Sequence, residues 1–156
     1  MRTTILAITL TFSSALAASP QYSVHDYDVH GRVTIRIANI GVVPNGDAAD
    51  CQRLLAGFQR GQAKYPDGVV TKTRISTCDS SLPFEFVGIE QGTPLVGAFV
   101  VKVQPANTGA VYTAWFGLEA TKAVSTCERL LSEMRTRMSA TVVASVQLTC
   151  VPPKKS

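Results

Sequence analysis

Polar and apolar residues alternate over Arg32-Val33-Thr34-Ile35-Arg36-Ile37, the period-two pattern of a half-buried strand. Pro44-Asn45-Gly46-Asp47 then signals a turn, and Asp47 or Asp50 can cap a helix after it. From about Ala48 to Lys64 the period lengthens. Cys51, Leu54, Leu55 and Phe58 recur at spacings of three, four and seven, while Arg53, Arg60 and Lys64 fall on another face. Gly57 and Gly61, four apart, lower helix propensity but allow close approach to a packed neighbour. Tyr65-Pro66-Asp67-Gly68 ends the helix, and the β-branched run from Val69 to Thr77 reads as a strand.

Beyond this, Phe84-Glu85-Phe86-Val87 reads as a short strand before a turn at Gln91-Gly92-Thr93-Pro94. Val96 to Val103 is almost continuously apolar, as in a strand buried on both faces. Asn107-Thr108-Gly109 turns the chain into Ala110 to Leu118, a strand carrying Trp115 and Phe116; the two strands form a hairpin. Ser125-Thr126-Cys127-Glu128 matches a capping box opening a second helix, with Leu130, Leu131, Met134 and Met138 on its apolar face. Arg129, Glu133 and Arg137 are spaced four apart for intrahelical ion pairs. Thr141 to Thr149 is the last strand. Ser19 to Val29, polar and aromatic, reads as a loose arm or edge strand.

This order predicts an α+β fold: two helices packed on one face of a mainly antiparallel sheet, in a duplicated ferredoxin-like sandwich. The duplication is expected over about 32–78 and 110–150, within a single domain spanning 19–150. Cys51-Gln52-Arg53-Leu54-Leu55 and Cys127-Glu128-Arg129-Leu130-Leu131 open the two helices, and Cys78 and Cys150 close the strands that follow. Four cysteines allow three connectivities. A helix that turns back into a strand brings the helix start beside the strand end, so Cys51–Cys78 and Cys127–Cys150 are the expected disulfides. No close Cys-Cys pair of the kind zinc sites use is present. With its helix-to-strand staples the chain resembles, at the level of architecture, the killer-toxin-like folds of small secreted fungal toxins and effectors, a resemblance that carries no individual residues across.

Residues 1–18 read as a secretory signal peptide: Met1-Arg2, an apolar run from Ile5 to Phe12, then small residues ending Ala15-Leu16-Ala17-Ala18. Export to the extracellular space, or to the periplasm in a bacterium, fits the paired cysteines. Loss of Arg2 lowers Lys+Arg from 15 to 14 against 11 Asp+Glu, so the net charge of +4 becomes +3. That excess is too mild for a nucleic-acid footprint. No later segment is long and apolar enough for a transmembrane segment. Residues 151–156, with Pro152-Pro153 and two lysines, read as a solvated tail.

Candidate chemistry is thin. If residues 22–30 are extended, Asp26, Asp28 and His30 share one face while His25 points away. Two carboxylates and an imidazole there are the candidate metal or acid–base group, set against a plain polar arm. Glu85, Glu90 and Asp79 could pair in space as a glycosidase-like dyad. No nucleophile elbow, phosphate-binding glycine loop or His-Glu-x-x-His motif occurs, and no cofactor is implied. Arg53, Arg60 and Lys64, with Arg129 and Arg137, are the candidate binding patch for an acidic protein, an anionic glycan or phospholipid headgroups. Adjacent Trp115 and Phe116 must point to opposite faces, and an exposed one would anchor a partner. The reading that follows is a secreted, disulfide-stabilised interaction protein, effector- or toxin-like. A periplasmic inhibitor or immunity-type protein is the alternative, and a small secreted hydrolase is less favoured.

Overall fold

The computed structural model describes residues 18–31, 33–62, 69–105, 109–118, 120–138 and 145–154. The expected signal peptide (all but Ala18), Arg32, Lys64, the 65–68 and 107–108 turn residues, residues 141–144 of the last strand and residues 155–156 of the tail lie outside them. The elements run β1 (Gln21–His30), β2 (Thr34–Val43), α1 (Ala48–Gln62), β3 (Val69–Asp79), β4 (Ala98–Pro105), β5 (Val111–Phe116), α2 (Ala120–Arg137) and β6 (Val146–Val151). Two 3₁₀ turns, Phe84–Phe86 and Ile89–Gln91, lie between β3 and β4. The strands form one six-stranded antiparallel sheet in the order β3-β1-β2-β5-β4-β6. In each half, a hairpin is followed by a helix and then a strand that pairs with the hairpin's first strand.

The start of α1 is set locally. Gly46 turns the chain at φ 65°. The Asp47 carboxylate then accepts from the Ala49 and Asp50 amides at 2.8 and 3.1 Å, satisfying two of the orphan donors at the start of α1. Helix α1 lies against β1, β2 and β3. It seats Leu54 over Gly41, where any added Cβ would collide with the leucine. Cys51 in α1 is bonded to Cys78 in β3, and Cys127 in α2 to Cys150 in β6. Each helix is thus tied to the strand that follows it.

Side chains alternate across a strand, so register places residues on faces. Tyr27, Ile37, Trp115 and Phe99 form one cross-sheet row, and Asp26, Ala38, Ala114 and Val100 form the adjacent row on the opposite face. Phe99 and Val101 pack with Ala123, Cys127 and Leu131 of α2. On the other side, Phe86, Ile89 and Leu95 from the β3–β4 connector bury against Val24, Ala38, Ile40 and Val100.

Several expectations are corrected. Residues 21–30 are neither an arm nor an edge: β1 pairs with β2 on one side and β3 on the other, and Ser23 to Val29 are all buried. His25, Asp26 and Asp28 of this strand find partners on other elements, which local polarity does not reveal. Phe84–Phe86 is a 3₁₀ turn rather than a strand. Helix α2 starts at Ala120, so Ser125 lies inside it and donates to the Lys122 carbonyl at 3.2 Å instead of capping. Burial of Ala123 against the sheet extends the helix beyond the capping-box signal. The close approach that Gly57 and Gly61 allow is not used: a Cβ added at either would meet nothing within 4 Å. The C-terminal tail is partly held: Val151 belongs to β6, and the Lys154 amide donates to the Leu95 carbonyl at 3.0 Å.

Candidate functional site

Strand β1 carries its polar side chains into two separate networks. On the connector side, Asp26 is wholly buried. It accepts from Arg36 Nε and Nη2 at 2.9 and 2.6 Å. The same Nη2 lies 2.7 Å from Glu85 Oε1. The guanidinium sits 4.5 Å from the Phe116 ring centroid and 5.9 Å from that of Phe86. A planar cation stacked on aromatic faces and forked onto a carboxylate is a geometry lysine cannot reproduce. The hydrogen bonds it donates to Asp26 raise the Arg36 pKa, so the guanidinium stays charged. Asp28 accepts from Arg74 Nε at 2.9 Å.

The Asp28–Arg74 bond holds the Asp28 carboxyl below its ordinary range. A carboxyl lowered on folding contributes stability that is present above its unfolded pKa of about 4 and lost as pH falls through the folded value. Arg74→Gln should therefore lower stability near neutral pH, with the difference from wild type fully present above about pH 4 and shrinking as pH falls and Asp28 is protonated. Denaturant unfolding at about pH 7 and at about pH 2 checks it; a difference absent at neutral pH, or one that grows toward acid, would contradict the assignment.

On the side facing α1, His25 is fixed between Gln62 Oε1, 2.6 Å from Nε2, and Ser76 Oγ, 3.3 Å from Nδ1. Ser76 Oγ also accepts from Gln59 at 3.0 Å. With the proton on Nε2, the chain runs Gln59 to Ser76 to His25 to Gln62, each donor matched to an acceptor. This histidine ties the end of α1 to β1 and β3. His30, by contrast, is exposed and lies 2.8 Å from Thr34 Oγ1. The candidate triad is thus pulled apart: Asp26 and Asp28 each face a guanidinium, and His30 turns to its own hairpin. Among the described residues no group of three or more His, Cys, Asp and Glu could hold a metal ion.

The proposed carboxylate dyad is likewise divided. Glu85 faces Arg36, Glu90 accepts from the Tyr22 hydroxyl at 2.9 Å, and Asp79 accepts from the Ser80 amide at 2.7 Å. Burial, with Glu90 beside it, raises the Tyr22 pKa. Of the basic residues, Arg53 pairs with Asp50 one turn back, and Arg129 with Glu133 at 2.6 Å. Arg60 and Arg137 are exposed on α1 and α2. Trp115 is half-buried and stacked on Phe99, centroids 5.0 Å apart and rings 12° from parallel. Phe116 lies under Arg36. Neither is a free aromatic anchor.

Among the described residues the exposed large aromatic is Phe84, 95% exposed, with Val87, 60% exposed, three residues on. Val87 caps the Phe84–Phe86 turn, its amide donating to the Phe84 carbonyl at 3.3 Å, so the two residues sit one 3₁₀ turn apart. Their mounting is firm. The Phe86 amide donates to the Pro83 carbonyl at 2.9 Å, and the Thr93 amide to the Gly88 carbonyl at 3.0 Å. Gly88, at φ 90°, sits too close to Thr93 to accept a side chain. Phe86 and Ile89 are buried on either side of Val87. The sequence pattern missed this knob because Phe84-Glu85-Phe86 also fits an alternating strand.

No protein-family model matches this chain, and no curated protein or solved structure matches it. No helix among the described residues is long and apolar enough to cross a membrane.

Proposed function

We propose that the protein is an exported interaction protein that docks an extracellular protein partner through the knob formed by Phe84 and Val87. The observation that carries this reading is the near-complete exposure of Phe84 on a connector that buried Phe86 and Ile89 hold to the sheet. A rigid exposed aromatic fills a partner's apolar pocket at low entropic cost and is the usual centre of an interface. Glu85, tied to Arg36 beside it, supplies a polar rim.

The frame behind the knob fits that role. The row Tyr27, Ile37, Trp115, Phe99 supports both helices sharing one sheet face, with the connector on the other. The matching connectivity of residues 21–79 and 98–151 supports a duplicated strand-strand-helix-strand unit, wider than 32–78 and 110–150 because the first strand of each half belongs to it. The two disulfides, at equivalent places in the halves, suit an oxidising compartment. Effector- or toxin-like and inhibitor-type roles share this single mechanism.

Phe84→Ala should weaken capture of the partner by at least thirtyfold, about 2 kcal/mol for an aromatic anchor. The same change should shift stability by less than about 0.5 kcal/mol, as for exposed positions generally. Affinity measured with the chain from Ser19 onward, alongside denaturant unfolding, checks both. Unchanged affinity would remove the knob as the docking site.

A further inference from the structure

A cleft of about 280 Å³ opens between the glycine side of α1 and the central strands β2 and β5. Its floor holds Trp115 and Tyr27 together with Asn39 and Thr113, which face each other across the β2–β5 pair. Gly57, Gly61 and Gln62 form the wall. A Cβ added at either glycine meets nothing within 4 Å, so the space stands open where larger residues would close it.

The chemistry of the lining is specific. None of these residues carries a formal charge, so an ion entering the cleft would lose water without gaining a counter-charge. The Thr113 hydroxyl donates to Asn39 Oδ1 at 3.0 Å, and Asn39 Nδ2 lies 3.5 Å from the Tyr27 hydroxyl. A wholly apolar ligand would strip water from these amide and hydroxyl groups and offer nothing in return. What fits is a neutral molecule with hydroxyl groups and an apolar face, laid against the half-buried indole. The volume lies at the small end of ligand pockets and takes one such unit.

We propose that this cleft binds a neutral sugar unit, with Trp115 under its apolar face and the Asn39–Thr113 pair and Gln62 hydrogen-bonding its hydroxyls. The cleft shares no residue with the Phe84 knob and does not depend on it.

Trp115 is the sole tryptophan, so its fluorescence reports the cleft directly. The protein would be titrated with neutral hexaoses of α-glucose, β-1,4-glucose, β-1,3-glucose, mannose and N-acetylglucosamine, and with a heparin octasaccharide and tetragalacturonate. A saturable shift with at least one neutral hexaose and none with the two charged oligomers is expected. Gly57→Leu and Gly61→Leu fill the cleft from a wall position with room for the side chain, so they should fold normally and weaken the response more than tenfold. Phe84→Ala should leave it unchanged. Absence of a saturable shift with every neutral hexaose overturns the proposal. So does a response confined to the charged oligomers, or one unaltered in both folded leucine variants.

Discussion

With both disulfides reduced, the protein should lose about 7 kcal/mol of folding stability and unfold at neutral pH without denaturant. Cys51–Cys78 and Cys127–Cys150 span separations of 27 and 23 residues, and in the chain-entropy account loops of that size contribute about 3.5 kcal/mol each. The total is of the order of a whole domain's stability, roughly 5–15 kcal/mol. Both helix cysteines are buried, so their removal also disturbs packing under the helices. Unfolding by guanidinium with and without a phosphine reductant checks the sum. Replacing one pair by alanine should remove about half of it. A reduced protein with an unaltered midpoint would show that the packed sheet and helices hold without their covalent ties.

Arg36→Ala should destabilise the protein by about 3–5 kcal/mol, the usual cost of leaving a buried charge without its partner. Asp26 has no exposed side-chain surface, so water cannot replace the guanidinium. Removing both charges is a different experiment. Asp26→Leu combined with Arg36→Met replaces the pair by apolar side chains of similar size and should recover most of the loss, since such exchanges are often near neutral. Phe86 and Phe116 would then flank a methionine instead of a cation. A double-mutant cycle measures the coupling. If the single losses simply add, Asp26 and Arg36 are not the energetic unit their geometry describes.

The parts of this fold that were legible in the chain are those written in a local period. The apolar faces of both helices, the β-branched run of β3 and the apolar run of β4 follow from residues close in sequence. The cysteines were legible because helix-then-strand geometry brings their ends together. Strand β1 was not. His25, Asp26 and Asp28 look like solvated residues until Gln62, Arg36 and Arg74 arrive, the farthest of them 46 positions away. The capping box at Ser125 was a true local signal overridden by burial of Ala123. Candidate sites fared unevenly for the same reason. Charge and histidine attract attention in a sequence, yet here His25, Asp26 and Asp28 stabilise the frame. The knob and the cleft depend on what is left uncovered, and exposure is a property of the whole fold.

The docking claim is tested most directly by site-specific photo-crosslinking. A benzophenone amino acid placed at position 84 in the chain from Ser19 onward would be irradiated in the extracellular fluid that the proposed export implies, beside the same probe at the exposed Arg60 position. The account predicts one dominant adduct from position 84, none of that mass from position 60, and loss of the adduct on competition by unlabelled wild type but not by Phe84→Ala. The same adducts from both positions, or equal competition by Phe84→Ala, would contradict it.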